Sequence, residues 1–98
     1  MGYRIIVSPT AHNNVDDTIA YYKENANDEI AAAFYDELQD CYKSLELNPY
    51  FQIRVKWYRA IPIKGFPYLI FFEVNEAEKL VRVLAVFNTY QDPDKWPR

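Results

Sequence analysis

The sequence is poor in the residues that most catalytic constellations need. Among 98 residues it holds one histidine (His12), one cysteine (Cys41) and two glycines, Gly2 and Gly65. A single cysteine excludes an internal disulfide and fits a reducing cytoplasm. Two isolated glycines exclude a Gly-rich loop that cradles phosphate. No His/Cys/Asp set stands at metal-ligand spacing, and residue order supports no Ser/His/Asp constellation, so neither a metal nor a cofactor is expected. No run approaches the ~18 apolar residues of a membrane span. The opening MGYRIIVSPT lacks the plan of a secretory signal and has no Ser or Thr at the sixth position for myristoylation. The expectation is a cytoplasmic protein with no membrane partner.

What is present is a core and an uneven charge. Half the residues are apolar and 17% are aromatic, nine of them tyrosine. That is enough for one domain over 1–98, burying roughly 60–65% of its unfolded surface. The net charge of −3 speaks against a general nucleic-acid binder, yet it divides sharply. Residues 1–47 carry three basic and nine acidic side chains, whereas residues 48–98 carry eight basic and five acidic. Arg54, Lys56, Arg59 and Lys64 fall in one stretch without an acid. Such a stretch attracts phosphate locally; it equally suits a solvated strand edge protected by charge.

The periodicity gives the order of elements. YRIIVS (3–8) reads as a strand. Ser8 followed by Pro9 is a helix start, and Val15, Ile19 and Tyr22 recur at helical spacing, with Asp16 and Asp17 on the other face. That helix runs to about 22–24, and ENAND breaks it. Asn27 or Asp28 caps a second helix with Ile30, Phe34, Leu38, Cys41 and Leu45 as its apolar stripe, stopped by Asn48-Pro49. From there the period is two. FQIRVKWYRAIPI (51–63) reads as a single strand, with Ile53, Val55, Trp57, Ile61 and Ile63 on one face and Arg54, Lys56 and Tyr58 on the other. Lys64 to Pro67 is a turn, YLIFFEV (68–74) an interior strand, NEAEK a hairpin turn and LVRVLAVFNT (80–89) the last strand. The expected fold is α+β in the order β-α-α-β-β-β. Two helices lie on one face of a mostly antiparallel sheet, and the other face is partly open to the basic side chains of the second strand.

That order, with Tyr58-Arg59, FPYLIFFEV (66–74) and VLAVFNTYQDPDKW (83–96), resembles the RelE/ParE superfamily of bacterial type II toxins over nearly the whole chain. The resemblance implies a small toxin neutralised by a cognate antitoxin. It acts on DNA gyrase if ParE-like, or cleaves messenger RNA on the ribosome, without a metal, if RelE-like. Cleavage of that kind has a 2′-hydroxyl attack the adjacent phosphate, and it needs cations for the developing charge and proton transfer at both oxygens. Arg59, Arg82 and Tyr90 are the candidate catalytic residues, and Arg54, Lys56 and Lys64 the candidate nucleic-acid contacts. Arg59 reads alternatively as a core-edge ion pair, for instance to Glu73. Arg82 is expected on the same face of the last strand as Asn88.

In many ParE-like relatives the terminal stretch resembles V-x-H-x-x-R-D-P-x-x-W. Here Asn88 takes the histidine position and Gln91 the arginine position; neither moves a proton nor neutralises a phosphate. VFNTYQDPDKW therefore reads as a strand stop, with Asp92-Pro93 turning the chain and Trp96 pinning the tail. Three functions remain open: a ParE-like toxin acting on replication, a ribosome-dependent endoribonuclease, and a binding module that pairs only with an antitoxin or with itself as a homodimer. His12, in the first turn of the first helix and far along the fold from the sheet's end, is no candidate for catalysis. Cys41 lies on the core stripe and is structural.

Overall fold

The computed structural model describes residues 2–50, 54–55 and 57–90, with the backbone alone for 54–55. Its elements are β1 (Arg4–Val7), α1 (Pro9–Asn25), α2 (Asp28–Leu47), β2 (Arg54–Val55), β3 (Tyr58–Pro62), β4 (Tyr68–Asn75) and β5 (Leu80–Asn88). The strands form one sheet in the order β1-β5-β4-β3-β2, antiparallel except for the parallel pair β1 and β5.

Both helices start on the residues expected. Ser8 Oγ accepts the Ala11 N–H at 3.1 Å with Pro9 in the first turn, and Asn27 Oδ1 accepts the Ile30 N–H at 2.8 Å. Each satisfies a backbone donor that a helix start leaves unpaired. Asp28 and Glu29 in the first turn of α2 suit its positive end. The helices lie on one face of the sheet. Ala11, Val15, Phe34, Leu38, Cys41 and Leu45 pack there against Ile61, Ile63, Ile70, Phe72, Val81, Val83 and Val86. Full burial of a side chain such as Phe34 stabilises by roughly 1.5–3 kcal/mol. One member of the expected α2 stripe is displaced by a residue: Ala31 is buried and Ile30 is exposed.

The segment expected as one strand over 51–63 is instead a hairpin. Arg54 pairs with Arg59 and Val55 with Tyr58, so the chain reverses between Val55 and Tyr58. A 13-residue strand would extend about 43 Å at ~3.3 Å per residue. Its partner β4 has 8 residues, so the surplus folds back as β2. Residues 51–53 lie outside the described residues. Trp57, expected on the core face, is half exposed at the loop.

The second sheet face also differs from expectation. It carries an apolar cluster of Tyr58, Ala60, Phe71 and Ala85, all buried, with Leu69, Leu84 and Phe87 beside it. The side chains of Arg54 and Lys56, expected on this face, lie outside the described residues, whereas Arg59 falls in phase with Ile61. Arg59 stands opposite Phe72 in the β3–β4 register, and Phe72 belongs to the helix-side core. Directly opposite residues share a face, so Arg59 projects to the helix side.

A bulge in β5 decides what its end presents. Phe71 pairs with Ala85, but Phe72 pairs with Val83, so Leu84 is the extra residue. Val83 and Val86, three apart, consequently face the same helical layer. Alternation runs in phase on each side of the bulge and is inverted across it. Arg82 and Asn88 therefore lie on opposite faces, contrary to the expectation from strict alternation. The bulge is held from α1: Ser8 Oγ donates to the Leu84 carbonyl at 3.0 Å, Ser8 N–H to the Val83 carbonyl at 3.0 Å, and Asn14 Oδ1 accepts the Val86 N–H at 3.1 Å.

Candidate functional site

A stripe along α1 and the ends of β4 and β5 enclose a cleft of about 700 Å³. Asn14, Asp17, Thr18 and Tyr21 recur at helical spacing and form its α1 wall. Tyr22, Pro67 and Tyr68 line its base, and Phe87, Asn88 and Tyr90 its far side. The base is rigid. The Tyr22 ring stands edge-on to Tyr21 at 5.6 Å, to Phe66 at 5.6 Å and to Tyr68 at 6.3 Å, and it also touches Phe34. Burial, with a smaller contribution from Tyr68, pushes the Tyr22 phenol above its ordinary range, so it stays protonated at neutral pH. Asn88 Oδ1 accepts the Tyr90 N–H at 2.8 Å and turns the chain out of the strand. Tyr90 itself is 87% exposed.

The cleft offers aromatic faces, amide and hydroxyl groups, and one carboxylate. Among the described residues, its lining holds no lysine, arginine or histidine. Such a surface binds by stacking, cation–π contact and hydrogen bonding. It has no cation for the charge of a pentavalent phosphorus. Among the described residues, no group of three or more His, Cys, Asp or Glu could hold a metal ion.

The candidate catalytic residues are not brought together. Tyr90 and Asn88 are at the cleft. Arg59 stands opposite Phe72 and Asn88 opposite Tyr68, four residues apart along β4, which is ~13 Å at the rise of a strand. The Arg59 guanidinium lies over the Tyr50 ring at 5.2 Å. Arg82 is on the other face, where its Nε lies 3.7 Å from Oε1 of Glu73, its cross-strand partner. Both side chains are well exposed, so the pair contributes little to stability. Lys64 is exposed in the β3–β4 turn, at the cleft end of the sheet but not in its lining. Arg54 starts the β2–β3 hairpin opposite Arg59. Lys56, Gln91, Asp92-Pro93 and Trp96 lie outside the described residues.

The α1 wall escaped the sequence reading. Asp17 was assigned to the solvated face of α1, and Asn14 and Tyr21 were assigned to nothing. The available signal was the 14-17-18-21 spacing of polar and aromatic residues, which marks a helix stripe that is neither core nor plainly solvated.

Elsewhere, the hydroxyls of Tyr3 and Tyr50 and the Lys79 ammonium converge on the Glu76 carboxylate, with Tyr3 Oη 2.7 Å from Oε2. The Lys79 ammonium, then the two phenols, hold that carboxyl down at about 2. This exposed corner ties the chain start, the end of α2 and the β4–β5 turn together. It is a structural clasp.

Residues 5–93 match the family described as ParE toxin of type II toxin-antitoxin system, parDE. No curated protein sequence matches the chain at a significant level. Three solved structures share the fold. A chain of a chromosomal ParDE TA system from P. aeruginosa superposes with a TM-score of 0.75 at 16% identity, over 88% of this chain and 95% of that one. A chain of the RelBE2 toxin-antitoxin complex from Mycobacterium tuberculosis gives 0.62 at 15% identity, over 90% and 99%. The isolated E. coli RelE toxin gives 0.54 at 11%, over 94% and 89%.

Proposed function

We propose, for a chain that belongs to the ParE toxin family of type II toxin–antitoxin systems, that it arrests growth by acting on DNA gyrase rather than by cutting messenger RNA, and that a cognate antitoxin neutralises it. One observation carries this reading. The cleft at the end of β5, where Asn88 and Tyr90 sit, is lined among the described residues by no cation and by one carboxylate, Asp17. In-line attack of a 2′-hydroxyl on phosphorus develops negative charge that cationic or hydrogen-bond donors must meet at the reacting centre. Here the candidate arginines are ~13 Å or more away along the sheet and on two faces. A general acid or base typically contributes ~10²–10⁴-fold, and Asn88 cannot serve as one. The sheet and helices then serve as a rigid scaffold that presents surface to protein partners.

The antitoxin reading is supported by the structural relatives, a ParDE TA system and the RelBE2 toxin-antitoxin complex. Inducing this chain without its neighbouring gene tests both parts. Growth should stop with DNA synthesis falling before protein synthesis, and co-expression of the neighbouring gene should restore growth. A fall in protein synthesis first would refute the gyrase reading, and failure of every neighbouring gene to rescue would refute the antitoxin reading.

A further inference from the structure

We propose that the α1–β5 cleft is a receptor for a guanidinium group, an arginine side chain that the antitoxin presents, held among tyrosine rings and closed by Asp17. The inference rests on the antitoxin reading above and assigns that partner's anchoring chemistry.

Three observations point to a cation. Tyr21 and Tyr90 expose 56% and 87% of their surface at a single cleft. Large aromatic exposure gathered at one concavity marks a recognition site. Tyr21 stands edge-on to Tyr22 at 5.6 Å, which orients an exposed ring at the cleft on a packed aromatic base. The face of a tyrosine ring is the negative part of its quadrupole and attracts cations within about 6 Å. Asp17 supplies a full negative charge on the same wall, and it makes no ion pair or side-chain hydrogen bond with any described residue. Among the described residues, the lining contains no positive charge that would compete for it.

The surrounding field agrees. Residues 1–47, which include both helices, carry nine acidic against three basic side chains and draw a basic segment toward α1. Arginine fits better than lysine, because a planar guanidinium stacks on a ring while its N–H fork reaches a carboxylate. A nucleic-acid strand fits poorly, since its phosphates would meet Asp17 with no lining cation between them. A second copy of this chain could also offer an arginine, and the test separates that occupant.

The experiment measures the dissociation constant of the toxin with the protein encoded beside it, for wild type and three variants checked for folding by circular dichroism. Asp17→Asn and Tyr21→Ala should each weaken binding about 10- to 100-fold. Asp16→Asn removes the same charge from the adjacent residue, which pairs with His12 and is not in the cleft, and should change binding less than about 3-fold. Alanine substitution of each antitoxin arginine in the Asp17→Asn background should then identify one arginine whose effect has largely vanished. Unchanged affinity in both cleft variants, equal loss in Asp16→Asn, or additivity for every arginine would overturn the proposal. So would a wild-type dimer in sedimentation that Asp17→Asn abolishes, or a 20-nucleotide RNA whose binding Tyr21→Ala removes. If wild type forms no complex at all, the antitoxin reading fails first, and this inference with it.

Discussion

Asn14 Oδ1 accepts the backbone N–H of Val86 at 3.1 Å, joining α1 to β5 just past the Leu84 bulge. With Ser8 bonded to Val83 and Leu84, it occupies backbone groups that a bulge takes out of the ladder. The bulge in turn sends Asn88 to the cleft side. Asn14→Ala leaves the Val86 N–H without its acceptor and should destabilise the fold by about 1–3 kcal/mol. Asn14→Asp keeps an acceptor oxygen and should recover most of that in urea denaturation. Equal loss in both variants would show that the acceptor is not what matters.

Gly2 is required by space rather than by backbone angle. A Cβ there would meet the Glu46 carbonyl oxygen at 2.6 Å, and that oxygen already accepts the Tyr3 N–H at 2.7 Å. Gly2→Ala must lift the chain start off α2 and should cost on the order of 1–3 kcal/mol. Gly65 is the converse: open space surrounds its missing Cβ, but its φ is +82°. Gly65→Ala should cost about 1–2 kcal/mol, from backbone strain alone. Thermal melts should show Tyr3 contacts disturbed, by near-ultraviolet dichroism, in the first variant and not in the second.

The clasp at Glu76 predicts an acid-sensitive contribution. Its carboxyl titrates at about 2 in the folded protein, below the ordinary 4.5. A lowered folded value means that the charged form is favoured by folding. The contribution is therefore complete above pH ~4.5 and is lost as pH falls toward 2. Glu76→Gln should be less stable than wild type at pH 7, and the gap should narrow through pH 4 to 3. A gap that widens on acidification would contradict the hydrogen-bonded carboxylate.

Burial, with a lesser part from nearby Glu37, pushes the Cys41 thiol up, and its Sγ lies 3.7 Å from the Pro62 carbonyl. The thiolate is the reactive form. A thiol reagent at neutral pH should label Cys41 slowly in the native state and quickly in denaturant. Fast native labelling would mean that α2 opens from β3 far more readily than its packing implies.

The helical half was legible because local chemistry determines it. Ser8-Pro9 and Asn27 cap helices through bonds to residues three positions on, and the Phe34-Leu38-Cys41-Leu45 stripe repeats the helical period. The strand half was legible in order but not in phase. The sequence between Val55 and Tyr58 carries none of the Gly or Asn that announces a tight hairpin. Only the length of β4 stops β3 from running on. The bulge was hidden because VRVLAVF alternates acceptably in either phase; the anchors that fix it, Ser8 and Asn14, lie more than 70 residues earlier. The candidate site suffered from the second of these. Arg82 and Asn88 were placed on one face by alternation, and the bulge between them broke it, whereas Arg59 keeps the phase of Ile61.

The central claim is tested most directly by primer extension on messenger RNA from programmed ribosomes incubated with purified protein, run beside a gyrase supercoiling assay. The cleft without cations predicts intact messenger at protein concentrations that inhibit supercoiling. Ribosome-dependent cleavage by wild type that disappears in Tyr90→Phe would contradict it and would make the end of β5 a nuclease site.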